Sequence, residues 1–170
     1  MKRTAMLVAL GLAATSLGGC VSLSRSETVT DLGADWRGDV RVGEVRLSRD
    51  ADLKVTEGFD ALFKSHVKTR LDACATGRRE VRVEAVLTRF DKANPTLTLL
   101  VGGANVLRGE ARLVDVATGK TVADYAIGKT IVGSRLAVIE MGQAEEQMSD
   151  AFAEELCAKA FDPPKPADPK

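Results

Sequence analysis

The sequence predicts an α+β domain: a three- to four-stranded mixed sheet with two helices on one face, set behind a signal peptide and a flexible tether. Three observations carry this. Glu80 to Phe90 and Arg108 to Ile131 alternate apolar and polar residues, the period of strands with one face buried. Phe59 to Cys74 and Val138 to Phe161 repeat apolar residues at three- and four-residue steps, the period of a helix with one apolar face. Residues 1–19 have the order of a secretory signal: a basic start, an uncharged run and small residues.

In that leader, Met1-Lys2-Arg3 precedes an uncharged run from Ala5 to Leu17. A membrane-crossing helix needs about 20 apolar residues, so the run is too short to span. It closes on Leu17-Gly18-Gly19-Cys20. An apolar residue, two small residues and a cysteine resemble the lipobox of bacterial lipoproteins. That resemblance implies cleavage before Cys20, diacylglycerol on its thiol and acylation of the new amino terminus. Each buried CH₂ of such chains contributes about 0.8 kcal/mol, and two or more chains hold a protein on a bilayer stably. The other reading is a soluble secreted protein cut near Ala13 or Ala14, with Cys20 an ordinary thiol. Val21 is not the aspartate that retains such proteins at the inner membrane, so the resemblance implies the periplasmic face of the outer membrane.

Residues 20–38 lack periodicity and are rich in Ser, Thr, Asp and Gly, which reads as a lipidated tether. Such a segment reaches about 25 Å as a coil and about 60 Å fully extended. Trp36 within it would either cover the core or meet lipid headgroups. The periplasmic domain then runs over residues 39–161. Val40, Val42, Val45 and Leu47 mark a first strand with a bulge at Gly43. Thr56 is placed to cap the first helix, with Glu57 favourable at the positive end of its dipole. Phe59, Leu62, Phe63, Val67, Leu71 and Cys74 form that helix's stripe, which ends before Gly77.

Asn94-Pro95 breaks the second strand, and Thr96 to Val101 is an apolar run, read as a further buried strand, leading into Gly102-Gly103-Ala104-Asn105. Arg108 to Val116 and Thr121 to Ile131 flank Ala117-Thr118-Gly119-Lys120, a short turn with Gly where positive φ is needed, and so predict a hairpin. Met141, Ala144, Met148, Ala151, Phe152 and Leu156 stripe the last helix, whose true start Gly142 marks. Pro163-Pro164-Lys165-Pro166 ends it, leaving residues 162–170 as a disordered Pro-rich tail.

Leu99-Leu100-Val101-Gly102-Gly103-Ala104-Asn105, followed by Gly109 to Asp115 and then Val116-Ala117-Thr118-Gly119-Lys120, resembles a family of uncharacterised bacterial lipoproteins. Its members carry a Gly-rich loop feeding a strand that ends in an Asp-x-x-Thr-Gly-Lys hairpin. The resemblance is specific over residues 95–125. It implies a small periplasmic domain that serves envelope complexes, and no catalytic residues.

Composition excludes several functions. The 24 basic and 24 acidic side chains balance, and loss of Lys2 and Arg3 leaves a net charge near −2, unlike a nucleic-acid surface. Aromatic residues make up only 4%, too few for a stacking platform. Ala123 to Thr130 fits a loose phosphate-loop pattern, but it lies inside a predicted strand where no helix starts at Lys129, so no nucleotide is expected. His66 is the only histidine, which leaves a His-based metal site or nucleophile triad without a second imidazole. Glu145-Glu146 reads as a solvated helix face. No metal or cofactor is expected.

Cys74 and Cys157 remain after the anchor, in an oxidising compartment. Each lies near the carboxyl end of a predicted helix, so parallel helices on one face would bring them within reach of a disulfide. Two buried free thiols are the alternative. The function expected is a non-catalytic accessory module, membrane-held by lipid, that binds another cell-envelope protein. A periplasmic small-ligand carrier or sensor is the alternative, and an enzyme is least favoured. The candidate partner surface is Leu97, Leu99, Leu100, Val101, Gly102, Gly103 and Leu107, an apolar loop or edge, unless these residues simply form a buried strand and turn.

Overall fold

The computed structural model describes residues 20–161, so the expected signal peptide 1–19 and the expected tail 162–170 lie outside the described residues. Six strands form one mixed sheet: β1 (Val21–Ser24), β2 (Glu27–Thr30), β3 (Val40–Arg49), β4 (Arg79–Asp91), β5 (Gly103–Asp115) and β6 (Thr121–Gly133). The order is β1-β6-β5-β4-β3, with β2 continuing along the same edge of β6. Four helices accompany it: α1 (Phe59–Cys74), α2 (Pro95–Val101), α3 (Val138–Gly142) and α4 (Ala144–Ala160), with a 3₁₀ turn at Arg135–Ala137. The α+β class agrees with expectation, but the three to four strands and two helices undercount both elements.

β3 and β4 pair in parallel through α1, while β4, β5 and β6 form an antiparallel meander. The bulge expected at Gly43 is there: the register between Val42 and Glu44 steps past it. The predicted hairpin is β5–β6, closed by Gly119 at φ 70° and by Asp115, whose carboxylate accepts from Thr118 Oγ1 at 2.5 Å and from the Ala117 N–H at 3.2 Å.

α1 and α4 cover one face of the sheet. Phe59, Phe63, Val67 and Leu71 are buried at four-residue steps, as the stripe predicts. Phe63 packs edge-on to Phe152 of α4 at 5.2 Å, and Phe59 lies 5.3 Å from Phe90 of β4. Opposite them stand the alternate residues of the sheet, among them Val81, Val83, Leu113 and Tyr125, all fully buried. Thr56 does not cap α1. Gly58 occupies that position, and the Thr56 hydroxyl is engaged by α4 instead.

Two expectations are corrected by backbone pairing. Residues 20–38 are no free tether: β1 and β2 pair with β6, Leu32 is fully buried in the core, and its N–H donates to Tyr125 Oη at 3.1 Å. The physical cause is the otherwise open edge of β6, whose unpaired backbone groups this Ser- and Thr-rich segment satisfies. The run 96–101 is a helix, not a strand. Asn94 Oδ1 accepts the Leu97 N–H at 3.1 Å and Pro95 sits at the first helical position.

Candidate functional site

Cys20 is exposed and directly precedes β1, where Val21 pairs with Val132. Val132 pairs on its other side with Ala104, and Gly133 pairs with Gly103. Neighbouring strands lie about 4.8 Å apart, so Cys20 opens some 10 Å from the segment that leaves α2. That segment turns at Gly102, whose φ of 88° and whose approach to the Gly133 carbonyl leave no room for a side chain: a Cβ there would sit 2.9 Å from that oxygen. Cys20, α2 and the Ser134–Gly142 connection therefore share one end of the sheet.

α2 is inverted relative to a soluble helix. Thr98 faces inward and is fully buried, with Oγ1 donating to the Asn94 carbonyl at 2.8 Å, while Leu97, Leu99, Leu100 and Val101 are all more than half exposed. Leu136 and Ile139, at 85% and 78%, are the most exposed large apolar side chains of the described residues. Burial of one such side chain is worth about 1.5–3 kcal/mol, so this end forgoes a substantial stabilisation in water. Every other large exposed apolar side chain except Val29 and Val116 lies on β1 or at the end of β6, toward the same end.

Of the predicted partner surface, the structure brings Leu97, Leu99, Leu100 and Val101 together on the outside, with Gly102 and Gly103 half-buried behind them. Leu107 does not belong with them. It points under the helices and is fully buried. Asn105, which in the sequence is the last residue of a Gly-rich loop, holds the end in place. Its Oδ1 accepts the Ala93 N–H at 2.8 Å, and its Nδ2 donates to the Met141 carbonyl at 3.3 Å and to Gln147 Oε1 at 3.0 Å. One buried amide thus ties the start of α2 to α3 and α4.

β1 is fastened to the core by charge. Lys129 Nζ lies 2.6 Å from Glu155 Oε1, and Ser24 Oγ donates to Glu155 Oε2. Burial alone would raise the Glu155 pKa, but the hydrogen bonds from Lys129, Ser24 and Ser26 outweigh it and hold the carboxyl below its ordinary value. Glu145, expected on a solvated face, is also buried. It accepts from the Thr56 N–H at 2.8 Å and from Lys92 Nζ at 2.9 Å, and these bonds likewise overcome burial to lower its pKa.

His66 lies half-buried on α1, with Nδ1 3.0 Å from Asp150 Oδ1, and Arg70 donates to the other carboxylate oxygen at 2.8 Å. Beside them Cys74 and Cys157 form a disulfide, with sulfurs 2.01 Å apart, across the carboxyl ends of α1 and α4. Ser65, one residue earlier in the helix, lines the same open hollow as His66, whose hydrogen-bond partner is Asp150. Among the described residues no group of three or more His, Cys, Asp or Glu could hold a metal ion. The phosphate-loop-like stretch Ala123 to Thr130 lies wholly within β6. Trp36 stands beneath the Arg79 guanidinium at 3.7 Å and lines an open cleft of about 490 Å³ with Asp115 and Thr118. This is the far end of β5, about 40 Å from Gly103 at 3.3 Å per residue, and Trp36 packs there against the edge of the core.

Among the described residues no element covers the face of the sheet away from α1 and α4, and that face carries both charges. Arg46 pairs with Glu44 at 3.0 Å, Arg82 with Glu84 at 2.8 Å and Arg112 with Glu110 at 3.1 Å. Among the described residues no helix is long and apolar enough to cross a membrane.

No protein-family model matches the chain. None of the curated proteins matches it either. Among solved structures it is similar to PelC from Paraburkholderia phytofirmans, a dodecamer in two crystal forms: 16% and 15% identity, TM-score 0.45 in each, covering 82% of this chain and 98% and 99% of that one. It is also similar to a candidate lipoprotein from Caulobacter crescentus CB15, at 12% identity and a TM-score of 0.40, covering 66% of this chain and 85% of that one. Likeness at this level assigns neither a family nor a function.

Proposed function

We propose that the chain is a bacterial lipoprotein, cleaved before Cys20 and acylated there, which serves at the periplasmic face of the outer membrane as a non-catalytic accessory module binding another envelope protein. The observation that supports this most is the place of Cys20. It stands exposed at the very start of β1, behind a lipobox-like sequence, so that acyl chains on its sulfur leave the fold at one end and the sheet's uncovered face stays open. Surface ion pairs such as Arg82–Glu84 contribute roughly 0–1 kcal/mol each, so a partner carrying its own charges exchanges them at little cost. That face is the partner surface. The apolar end at α2, although it includes Leu97, Leu99, Leu100 and Val101, adjoins the anchor too closely to be given to a protein.

Reading the chain as a ligand carrier requires a hollow between sheet and helices, and that layer is filled by Phe59, Phe63, Phe152 and Leu156. The test of the anchor is Cys20→Ala, which should release the protein into the soluble periplasmic fraction; retention of that variant in membranes counts against lipid attachment. The test of the partner is in-cell photocrosslinking from positions 84 and 112. One recurrent protein adduct is the expected result, and none at either position overturns the sheet face as a binding surface.

A further inference from the structure

We propose that the apolar end formed by α2 and the Ser134–Gly142 connection rests in the boundary between lipid headgroups and acyl chains, as a second membrane attachment beside the anchor. This rests on the acylated Cys20 of the proposed function and adds what that reading lacks, an orientation of the domain on the bilayer.

Three observations point to lipid. The first is distance. β1 begins at Val21, one residue after Cys20, and no free tether intervenes. With Val21 and Ala104 on either side of Val132, the acylated sulfur lies within two strand spacings, about 10 Å, of the chain leaving α2. Acyl chains from Cys20 cannot enter a bilayer unless this end of the sheet is already at its surface. Anything seated on Leu99 or Ile139 must share its space with those chains.

The second is charge. Segments 20–24, 93–107 and 130–142 meet here and together contain only two charged side chains, Arg135 and Glu140, in a protein whose residues are 28% charged. A surface that meets only water has no reason to be so depleted, whereas a charge drawn into hydrocarbon is costly. Arg135 is exposed next to Leu136 and is long enough to reach headgroup phosphates while its neighbours sink. The third is the inverted packing of α2, which turns Thr98 into the protein and Leu97, Leu99, Leu100 and Val101 out. Asn105 fixes that inversion, so the leucines have no inward alternative without loss of three buried hydrogen bonds.

The experiment uses the full acylated protein in vesicles of phosphatidylethanolamine and phosphatidylglycerol, with an environment-sensitive fluorescent amino acid encoded at position 99, 139 or 116. Brominated acyl chains serve as the quencher, and flotation reports attachment. The expected result is flotation with all three reporters, loss of most emission at 99 and 139, and none at 116, which lies at the far end of the sheet. The variant Leu100→Asp with Leu136→Asp changes exposed side chains only, and it should still float while the reporter at 99 loses its quenching. Flotation without quenching at 99 and 139 overturns the proposal and leaves the anchor standing. Failure to float overturns the anchor, and this proposal with it. In cells, a photoreactive side chain at 99 should give lipid adducts; a recurrent adduct with a protein, whether a different one or a second copy of this chain, overturns the assignment to lipid.

Discussion

Lys129 and Glu155 meet at 2.6 Å between β6 and α4, with side chains only 12% and 10% exposed, and the same carboxylate receives Ser24 Oγ from the strand that follows Cys20. The pair therefore joins β1 to the helical layer. Lys129→Ala leaves a buried carboxylate without its cation and should cost about 3 kcal/mol. Lys129→Met with Glu155→Leu removes both charges at similar volume and should cost much less. Urea unfolding of the three proteins measures this, and equal midpoints for the single variant and the parent would show that the pair is solvated.

Acid should weaken the fold. Glu155 and Glu145 both have folded pKa values held below the ordinary glutamate value of 4.5, because their hydrogen bonds to Lys129 and Ser24, and to Thr56 and Lys92, overcome burial. A depressed folded pKa gives a contribution that is complete above the unfolded value and is lost as pH falls through the folded one. The urea midpoint should thus be flat from about pH 7 to 5 and fall below about pH 4.5. Glu145→Gln with Glu155→Gln should lower stability at neutral pH and flatten the acid limb. An unchanged limb would assign acid sensitivity to other carboxylates, such as Asp150 beside Arg70 and His66.

Most of the core was legible because its residues recur at the period of their element. The alternation over Val81, Val83, Ala85 and Leu87 and the four-residue steps from Phe59 to Leu71 describe faces that are buried as read. The edge strands were not legible: Val21–Ser24 and Glu27–Thr30 are four residues each, too short for a period, and what fixes them is the open edge of β6. α2 was misread because its apolar residues face outward, so a run of leucines resembled a buried strand. The cap signal that identifies it, Asn94 followed by Pro95, reads equally well as a strand break. Buried Glu145 reads as a surface charge in the sequence because its partners, Thr56 and Lys92, are brought in by other elements.

The disulfide should contribute strongly. Cys74 and Cys157 are separated by 83 positions, and closing a loop of that size removes entropy from the unfolded chain worth about 4.5 kcal/mol on the chain-entropy model. Mature protein should differ by the mass of two hydrogen atoms between its oxidised and reduced forms. Cys74→Ala with Cys157→Ala should unfold at markedly lower urea, with the slope of the transition steepened by a more expanded unfolded state. Identical masses before and after reduction would remove the bridge.

Asn105 should act locally. Its amide is the common partner of the Ala93 N–H, the Met141 carbonyl and Gln147, all at one end of the sheet. Asn105→Ala strands an N–H and a carbonyl in a buried place, at about 1–3 kcal/mol for each group left unpaired. The loss should fall on the segments these groups belong to, because β3, β4 and α1 make their own ladders and contacts. Amide hydrogen exchange reads this directly. The amides of Ala93, Leu97 and Thr98 should exchange much faster in the variant, while those of Val83 and Val67 keep their protection. Even acceleration across the domain would mean that Asn105 supports the whole core rather than holding the apolar end in shape.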